Sequence, residues 1–86
     1  MKKIVGIIKP FVHNNQFTVF EDGELIDIQL YNMQNINESL FALIDKHEIE
    51  QVDLAGPKAY VNGIVDQFKT AEMTKYNMNK IEFNII

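Results

Sequence analysis

The first stretch of apolar residues predicts a buried strand. Between Lys3 and Lys9 the residues on both alternating faces are apolar, with Ile4, Gly6 and Ile8 on one face and Val5 and Ile7 on the other. A strand that is apolar on both faces is typical of a central strand covered on both sides of its sheet. We therefore expect the first strand to be central and buried on both faces.

The next two apolar stretches predict a hairpin. Strands over 16–21 and 24–31 are separated by Asp22-Gly23, and a two-residue turn of this type tolerates the positive φ that tight hairpins need. A two-residue loop pairs Phe20 with Leu25 and Val19 with Ile26. The register then predicts one core face, formed by Phe17, Val19, Ile26, Ile28 and Leu30. The other, partly wet face carries Thr18, Phe20, Leu25, Asp27, Gln29 and Tyr31.

The second half of the chain predicts two helices that alternate with two strands. Asn35 and Glu38 have the spacing of a capping pair, and apolar residues recur at helical spacing from there to Lys46-His47. A short strand over 51–55 follows. Gly56-Pro57 then starts a second helix, which we expect to end between Ala71 and Asn77.

A last strand over 80–86 completes the order β-β-β-α-β-α-β. A hairpin followed by crossover connections predicts a mixed α/β sheet. Its 86 residues fit one domain spanning 1–86.

Composition limits the classes of function. The chain has no cysteine, which excludes a disulfide framework and a thiolate metal site. No stretch has the about 20 apolar residues of a membrane span, so we expect a soluble cytoplasmic protein with no membrane partner. The net charge is −4 and no residue is arginine. Nucleic-acid binding is therefore disfavoured, because it depends on clustered cations.

The order of elements and several motifs resemble one family. The stretch IVGIIKPFVHNNQFTVFEDGELID, from Ile4 to Asp27, and the stretch VDLAGPKAYVNGIVDQF, from Val52 to Phe68, resemble Holliday-junction resolvases of the RuvC type. These belong to the ribonuclease H-like superfamily. The resemblance implies a ribonuclease H-like mixed sheet in strand order 3-2-1-4-5, with the family's final helix missing after Ile86.

The resemblance also implies that nuclease chemistry is lost. In the family, an aspartate at the end of the first strand and a glutamate after the fourth bind the metal ions that two-metal hydrolysis requires. Those positions fall on Ile8 and Ala55 in this chain. We therefore expect a catalytically degenerate domain that is not an enzyme and holds no metal or cofactor.

Single reactive side chains do not combine into a site. His13 lies in a predicted loop, and His47 lies at a predicted helix end, where the helix dipole favours it. Ser39, the only serine, has no glycine elbow around it and is expected to be an exposed helix residue.

One crevice is a candidate anion site. In an open sheet of order 3-2-1-4-5, ligands bind where the strand order reverses, beyond the carboxyl ends of strands one and four. The second helix would direct its N-terminus there, although Pro57 removes one donor. A phosphate, a nucleotide or a nucleic acid would be held there by Lys9, Asn14, Asn15, Gly56 and Lys58.

Surplus apolar residues point instead to a partner protein. A bare last strand would form a sheet edge, and large apolar patches usually mark interfaces. The candidate interface residues are Phe20, Leu25, Tyr31, Ile81, Phe83 and Ile85. The first hypothesis is therefore a non-catalytic interaction or assembly protein, a homodimer or the partner of another protein, encoded by a phage or other mobile element. The alternative is a binder of nucleotides, phosphate or nucleic acid that uses the crevice.

Overall fold

The computed structural model describes residues 1–11, 15–32, 34–71 and 81–86, with side chains as far as Phe68 in the second helix. Within these residues, five strands and two helices follow one another in the expected order. They are β1 (Lys2–Ile7), β2 (Asn15–Glu21), β3 (Glu24–Tyr31), α1 (Ile36–His47), β4 (Gln51–Ala55), α2 (Lys58–Ala71) and β5 (Glu82–Ile85).

The strands form one mixed sheet in the order β3-β2-β1-β4-β5. β2 runs antiparallel to both β1 and β3, whereas β4 runs parallel to both β1 and β5. The small α/β architecture and the predicted sheet order are thus confirmed.

The ends of the helices follow from local chemistry. The Pro57 carbonyl accepts hydrogen bonds from the amides of Tyr60 and Val61, so proline precedes the first turn of α2. Asn35 precedes α1 but does not cap it with its side chain, because its Oδ1 accepts a bond from the Asn32 amide instead. The predicted capping pair is therefore wrong.

Both helices cover the same face of the sheet, which we call the helix face. The connections β3-α1-β4 and β4-α2-β5 advance in one direction across the sheet, and right-handed crossovers of this kind place their helices on one side. Phe41 of α1 stacks on Phe68 of α2, with ring centroids 4.0 Å apart, and Phe68 in turn packs against Phe83 of β5. The core lies between these helices and the inward side chains of the sheet, which include Ile4, Phe17, Val19, Val52 and Leu54.

The opposite face of the sheet, which we call the open face, carries no helix in the described part of the chain. The expectation that β1 is buried on both sides is therefore wrong. Ile4 is fully buried on the helix face, but Ile7 on the open face is 54% exposed. β1 has apolar residues on both of its faces, but in the described part of the chain the helices cover only one of them.

The hairpin turn is as predicted, but the register beyond it is not. Glu21 pairs with Glu24 and Phe20 with Leu25, after which a β-bulge leaves Ile26 without a partner in the ladder and Val19 pairs with Asp27. Because side chains alternate along a strand, one extra residue exchanges the two faces of everything that follows. Ile28 and Leu30, expected in the core, are exposed on the open face. Tyr31, expected to be partly wet, is buried and stacks on Phe17.

Candidate interaction surface

The open face divides into two halves of different chemistry. Over β1, β2 and β3 most of its side chains are apolar, and we call this apolar group the apolar half. Gln16, opposite Leu30, and Lys3, opposite Phe20, are polar residues on the same face. Four aliphatic side chains of the apolar half, Ile7, Leu25, Ile28 and Leu30, are between 46% and 54% exposed. The apolar half consists of Val5, Ile7, Thr18, Phe20, Leu25, Ile28 and Leu30.

Thr18 lies at the centre of the apolar half. It pairs with Val5 of β1 on one side and with Ile28 of β3 on the other. Its hydroxyl donates a hydrogen bond of 3.1 Å to the Val5 carbonyl oxygen. The one polar group at the centre of this surface is therefore satisfied within its own chain and needs no partner from another molecule.

The rest of the open face, over β4 and β5, is polar and is organised around Asp53. The Asp53 carboxylate accepts hydrogen bonds from the side-chain amides of Gln51, at 2.8 Å, and Asn84, at 3.0 Å. Lys3 of β1 lies 3.8 Å from the same carboxylate. These contacts tie three strands together, and they account for an aspartate that is buried on an otherwise uncovered face.

On the helix face, the bulge directs Asp27 towards α1. The Asp27 carboxylate lies 2.8 Å from His47 Nε2 and 3.3 Å from Lys46 Nζ. These bonds, with one from the Ile28 amide, lower the pKa of Asp27 to about 2. The cationic end of α1 is thus held to the edge strand β3, a contact that the predicted register had excluded.

The structure places the residues expected at an interface in different environments. Leu25 is exposed and Phe20 is half-buried, both in the apolar half. Tyr31 belongs to the core, where burial raises its pKa to about 12. On β5 and just before it, Ile81 and Phe83 pack partly against the core, and only Ile85 is exposed. Sequence reasoning missed Ile7, Ile28 and Leu30, because it assigned them to covered faces.

The predicted anion crevice is only partly assembled. The Asn15 side-chain amide donates to the Lys9 carbonyl oxygen at 2.9 Å, so these two residues do meet. Lys9 and Asn15 also line a depression of about 310 Å³ on the open face. Lys58, the first residue of α2, makes no ion pair or side-chain hydrogen bond with the described residues and does not line that depression. Asn14, like His13, lies outside the described residues.

Gly56 has a packing role at the end of β4. Its φ is +142°, and a Cβ added there would lie 2.7 Å from the Ile8 carbonyl oxygen. The Ile8 amide donates to the Ala55 carbonyl oxygen at 2.7 Å. Glycine is thus required for the close approach of the two chain segments.

The two positions that the family would use for metal ligands are neighbours along the backbone but differ in environment. Ile8 is buried in the core on the helix face. Ala55 pairs with Ile7 and shares the open face with it. Ser39, expected to be exposed, is buried in α1.

Within the described residues, no three His, Cys, Asp or Glu side chains are grouped so that they could hold a metal ion. No helix in this part of the chain has the length and apolar character to cross a membrane. No protein-family model matches the chain, and no curated protein or solved structure is significantly similar to it. The resemblance to resolvases therefore stays a prediction.

Proposed function

We propose that this protein is a non-catalytic interaction protein that self-associates through the apolar half of its open face. The observation that carries the proposal is the group of exposed aliphatic side chains on the open face, with Ile7 on β1 and Leu25, Ile28 and Leu30 on β3. Burying apolar surface is the main favourable contribution to protein association. Exposed apolar patches of this kind mark interfaces.

The resemblance supports a ribonuclease H-like origin for the scaffold. In this proposal, the strand order 3-2-1-4-5 belongs to such a domain, and no carboxylate stands at Ile8 or Ala55, where the resemblance expects the metal ligands. In such a scaffold, the sheet serves as a surface for contact between copies of the chain. The chemistry of the site then consists of shape and apolar contact, with no bond made or broken.

The test is the oligomeric state of the chain and of one variant. We expect sedimentation velocity to show a dimer whose population rises with protein concentration. Leu30→Glu places a charge in the apolar half, and the cost of burying that charge should leave a monomer. Circular dichroism must show that the variant remains folded, as an exposed position allows.

Tyr60→Glu is the matched control. Tyr60 is also an exposed apolar residue, but it lies on α2, away from the open face. We expect this variant to dimerise like the parent chain. A parent chain that stays monomeric at high concentration contradicts the proposed self-association.

A further inference from the structure

We propose that strand β3 has two registers on β2, and that the change between them decides whether Ile28 and Leu30 lie on the open face. The bulged register is the one in the structure. In the second register, Ile26 enters the ladder opposite Val19 and the bulge disappears. The change is a property of the single chain and needs no second molecule. Only its effect on association rests on the proposed function.

The pairing of β3 allows this change without disturbing the rest of the sheet. In the described part of the chain, β3 is an edge strand and pairs with β2 alone. The pairs next to the turn, Glu21 with Glu24 and Phe20 with Leu25, are common to both registers. Beyond them, the second register moves each residue of β3 by one position, so that its side chain changes face. The connection from β3 to α1 gains one residue and is not stretched.

The aliphatic side chains of β3 fit the second register. Ile26, Ile28 and Leu30 alternate along the strand, as expected of side chains directed towards a core. In the structure they are between 41% and 54% exposed. In the second register they turn to the helix face, and Leu30 takes the buried place of Tyr31. Register is specified by the difference between the two faces of a strand, and here both faces carry apolar side chains.

The bulged register has a cost at the end of β3. Tyr31 is 3% exposed, and its hydroxyl oxygen has no hydrogen-bond partner among the described residues, although its ring stacks on Phe17. Burying a hydroxyl group without a partner is unfavourable. The second register buries the aliphatic side chain of Leu30 there and releases the tyrosine. The exposed aliphatic residues and the buried hydroxyl thus both favour the second register.

Asp27 favours the bulged register. The bulge directs its carboxylate towards α1, where it lies 2.8 Å from His47 Nε2 and 3.3 Å from Lys46 Nζ. In the second register Asp27 turns to the open face and loses both of these partners. Hydrogen bonds to a charged group are stronger than those between neutral groups. The carboxylate of Asp27 therefore holds β3 in the bulged register.

The two registers give the open face different chemistry. In the second register, Asp27 and Gln29 replace Ile28 and Leu30 on this face. Asp27 then lies opposite Thr18, at the centre of the apolar half. Any apolar contact there would have to desolvate a carboxylate, which is costly. Association through the apolar half therefore selects the bulged register, and the unassociated chain populates both.

Nuclear magnetic resonance can detect the second register. Relaxation dispersion and saturation-transfer experiments report minor states that exchange in microseconds to milliseconds or more slowly. We expect the parent chain to show exchange at the amides of residues 26–31 and of the β2 residues opposite them. Cross-strand nuclear Overhauser contacts identify each register, because Thr18 lies opposite Ile28 in the bulged register and opposite Asp27 in the second.

Two substitutions shift the balance in opposite directions. Asp27→Thr removes the carboxylate that favours the bulge and introduces a residue that suits a strand on either face. We expect it to raise the population of the second register about tenfold. Ile26→Lys occupies an exposed position in the bulged register, but in the second register it would place a lysine beside Lys46 and His47. We expect Ile26→Lys to abolish the exchange.

The double variant Ile26→Lys with Asp27→Thr is the matched control. It has lost the same carboxylate but has no favourable second register, so we expect no exchange. Circular dichroism of all three variants shows whether they remain folded. The two-register strand is overturned if Asp27→Thr keeps the contact between Thr18 and Ile28 and shows no exchange in β3, whatever the other two variants do.

The outcomes separate this inference from the proposed function. A parent chain that is monomeric throughout a concentration series but exchanges in β3 rejects self-association and supports the two registers. A chain that dimerises, but whose monomer at low concentration shows no exchange in β3 even with Asp27→Thr, rejects the two registers and leaves the interaction surface in place.

Discussion

At the scale of single residues, Gly6 shows how closely β1 is packed from the helix face. A Cβ added to Gly6 would lie 2.5 Å from a ring carbon of Phe17 and 3.1 Å from a methyl carbon of Leu54. Both neighbours are fully buried, so neither can move without disturbing the core. Glycine is needed here for space alone, since its backbone is that of an ordinary strand residue.

We predict that Gly6→Ala lowers the free energy of unfolding by about 1–3 kcal/mol, the usual cost of overpacking a core. Gly63→Ala is the matched control, because a Cβ at Gly63 on α2 meets nothing within 4 Å. Alanine there should stabilise the protein by about 0.5–1 kcal/mol through its higher helix propensity. Urea unfolding of both variants measures the difference, and equal effects at the two glycines would contradict the packing argument.

At the scale of elements, the contact between α1 and β3 depends on one carboxylate. Hydrogen bonds from His47 first, then from Lys46 and the Ile28 amide, lower the pKa of Asp27 from 3.8 to about 2. A carboxyl with a lowered pKa in the folded state stabilises the protein above its unfolded pKa. That contribution is lost as the pH falls from about 4 to about 2.

We predict that Asp27→Asn lowers the free energy of unfolding at neutral pH. The difference in this free energy between the variant and the parent chain should become smaller as the pH falls from 4 to 2. Urea unfolding at a series of pH values gives the comparison. Asp45→Asn makes the same change in charge at an exposed position on α1 and should show a smaller effect at neutral pH. A difference that stays constant down to pH 2 would exclude Asp27 as the titrating group.

The elements also show which parts of the fold could be predicted from the sequence. Strand β3 and strand β4 have the predicted bounds, because alternation and the Asp22-Gly23 turn are local signals. The bulge at Ile26 could not be predicted, since both registers keep Phe17 and Val19 inside and differ only in the contacts of β3. Contacts such as Asp27 with His47 join residues 20 positions apart, and no local pattern reports them.

The open face could have been predicted from the sequence. Once the order 3-2-1-4-5 is accepted, both crossovers run in the same direction, and the handedness rule places both helices on one side. Val5 and Ile7 then belong to a face that these helices leave open. The apolar pattern of β1 suggested a second covering layer, and in this proposal another copy of the chain provides it.

At the scale of the whole molecule, the net charge of the chain opposes its self-association. The chain carries −4 at neutral pH, with an isoelectric point near 5.0. If the apolar half holds two copies together, the electrostatic contribution to dimerisation is repulsive. Salt screens this repulsion between exposed charges.

We predict that raising the ionic strength from about 0.02 M to about 0.3 M at pH 7 tightens the dimer a few-fold, because the Debye length shortens from about 20 Å to about 6 Å. Sedimentation velocity at the two salt concentrations measures the change. Dissociation by salt would point to ion pairs at the interface. A complex with nucleic acid, which depends on counterion release, would also weaken as salt rises.

The bulge has a further consequence for how the length of this hairpin can vary. Leu25 and Asp27 pair with consecutive residues of β2, so Ile26 lies between them without a partner in the ladder. Deleting Ile26 would preserve every other pair and both faces of the sheet. Deleting Ile28 would move Gln29 onto the open face and Leu30 into the core. Of the two deletions, only that of Ile26 leaves the surface of the sheet unchanged.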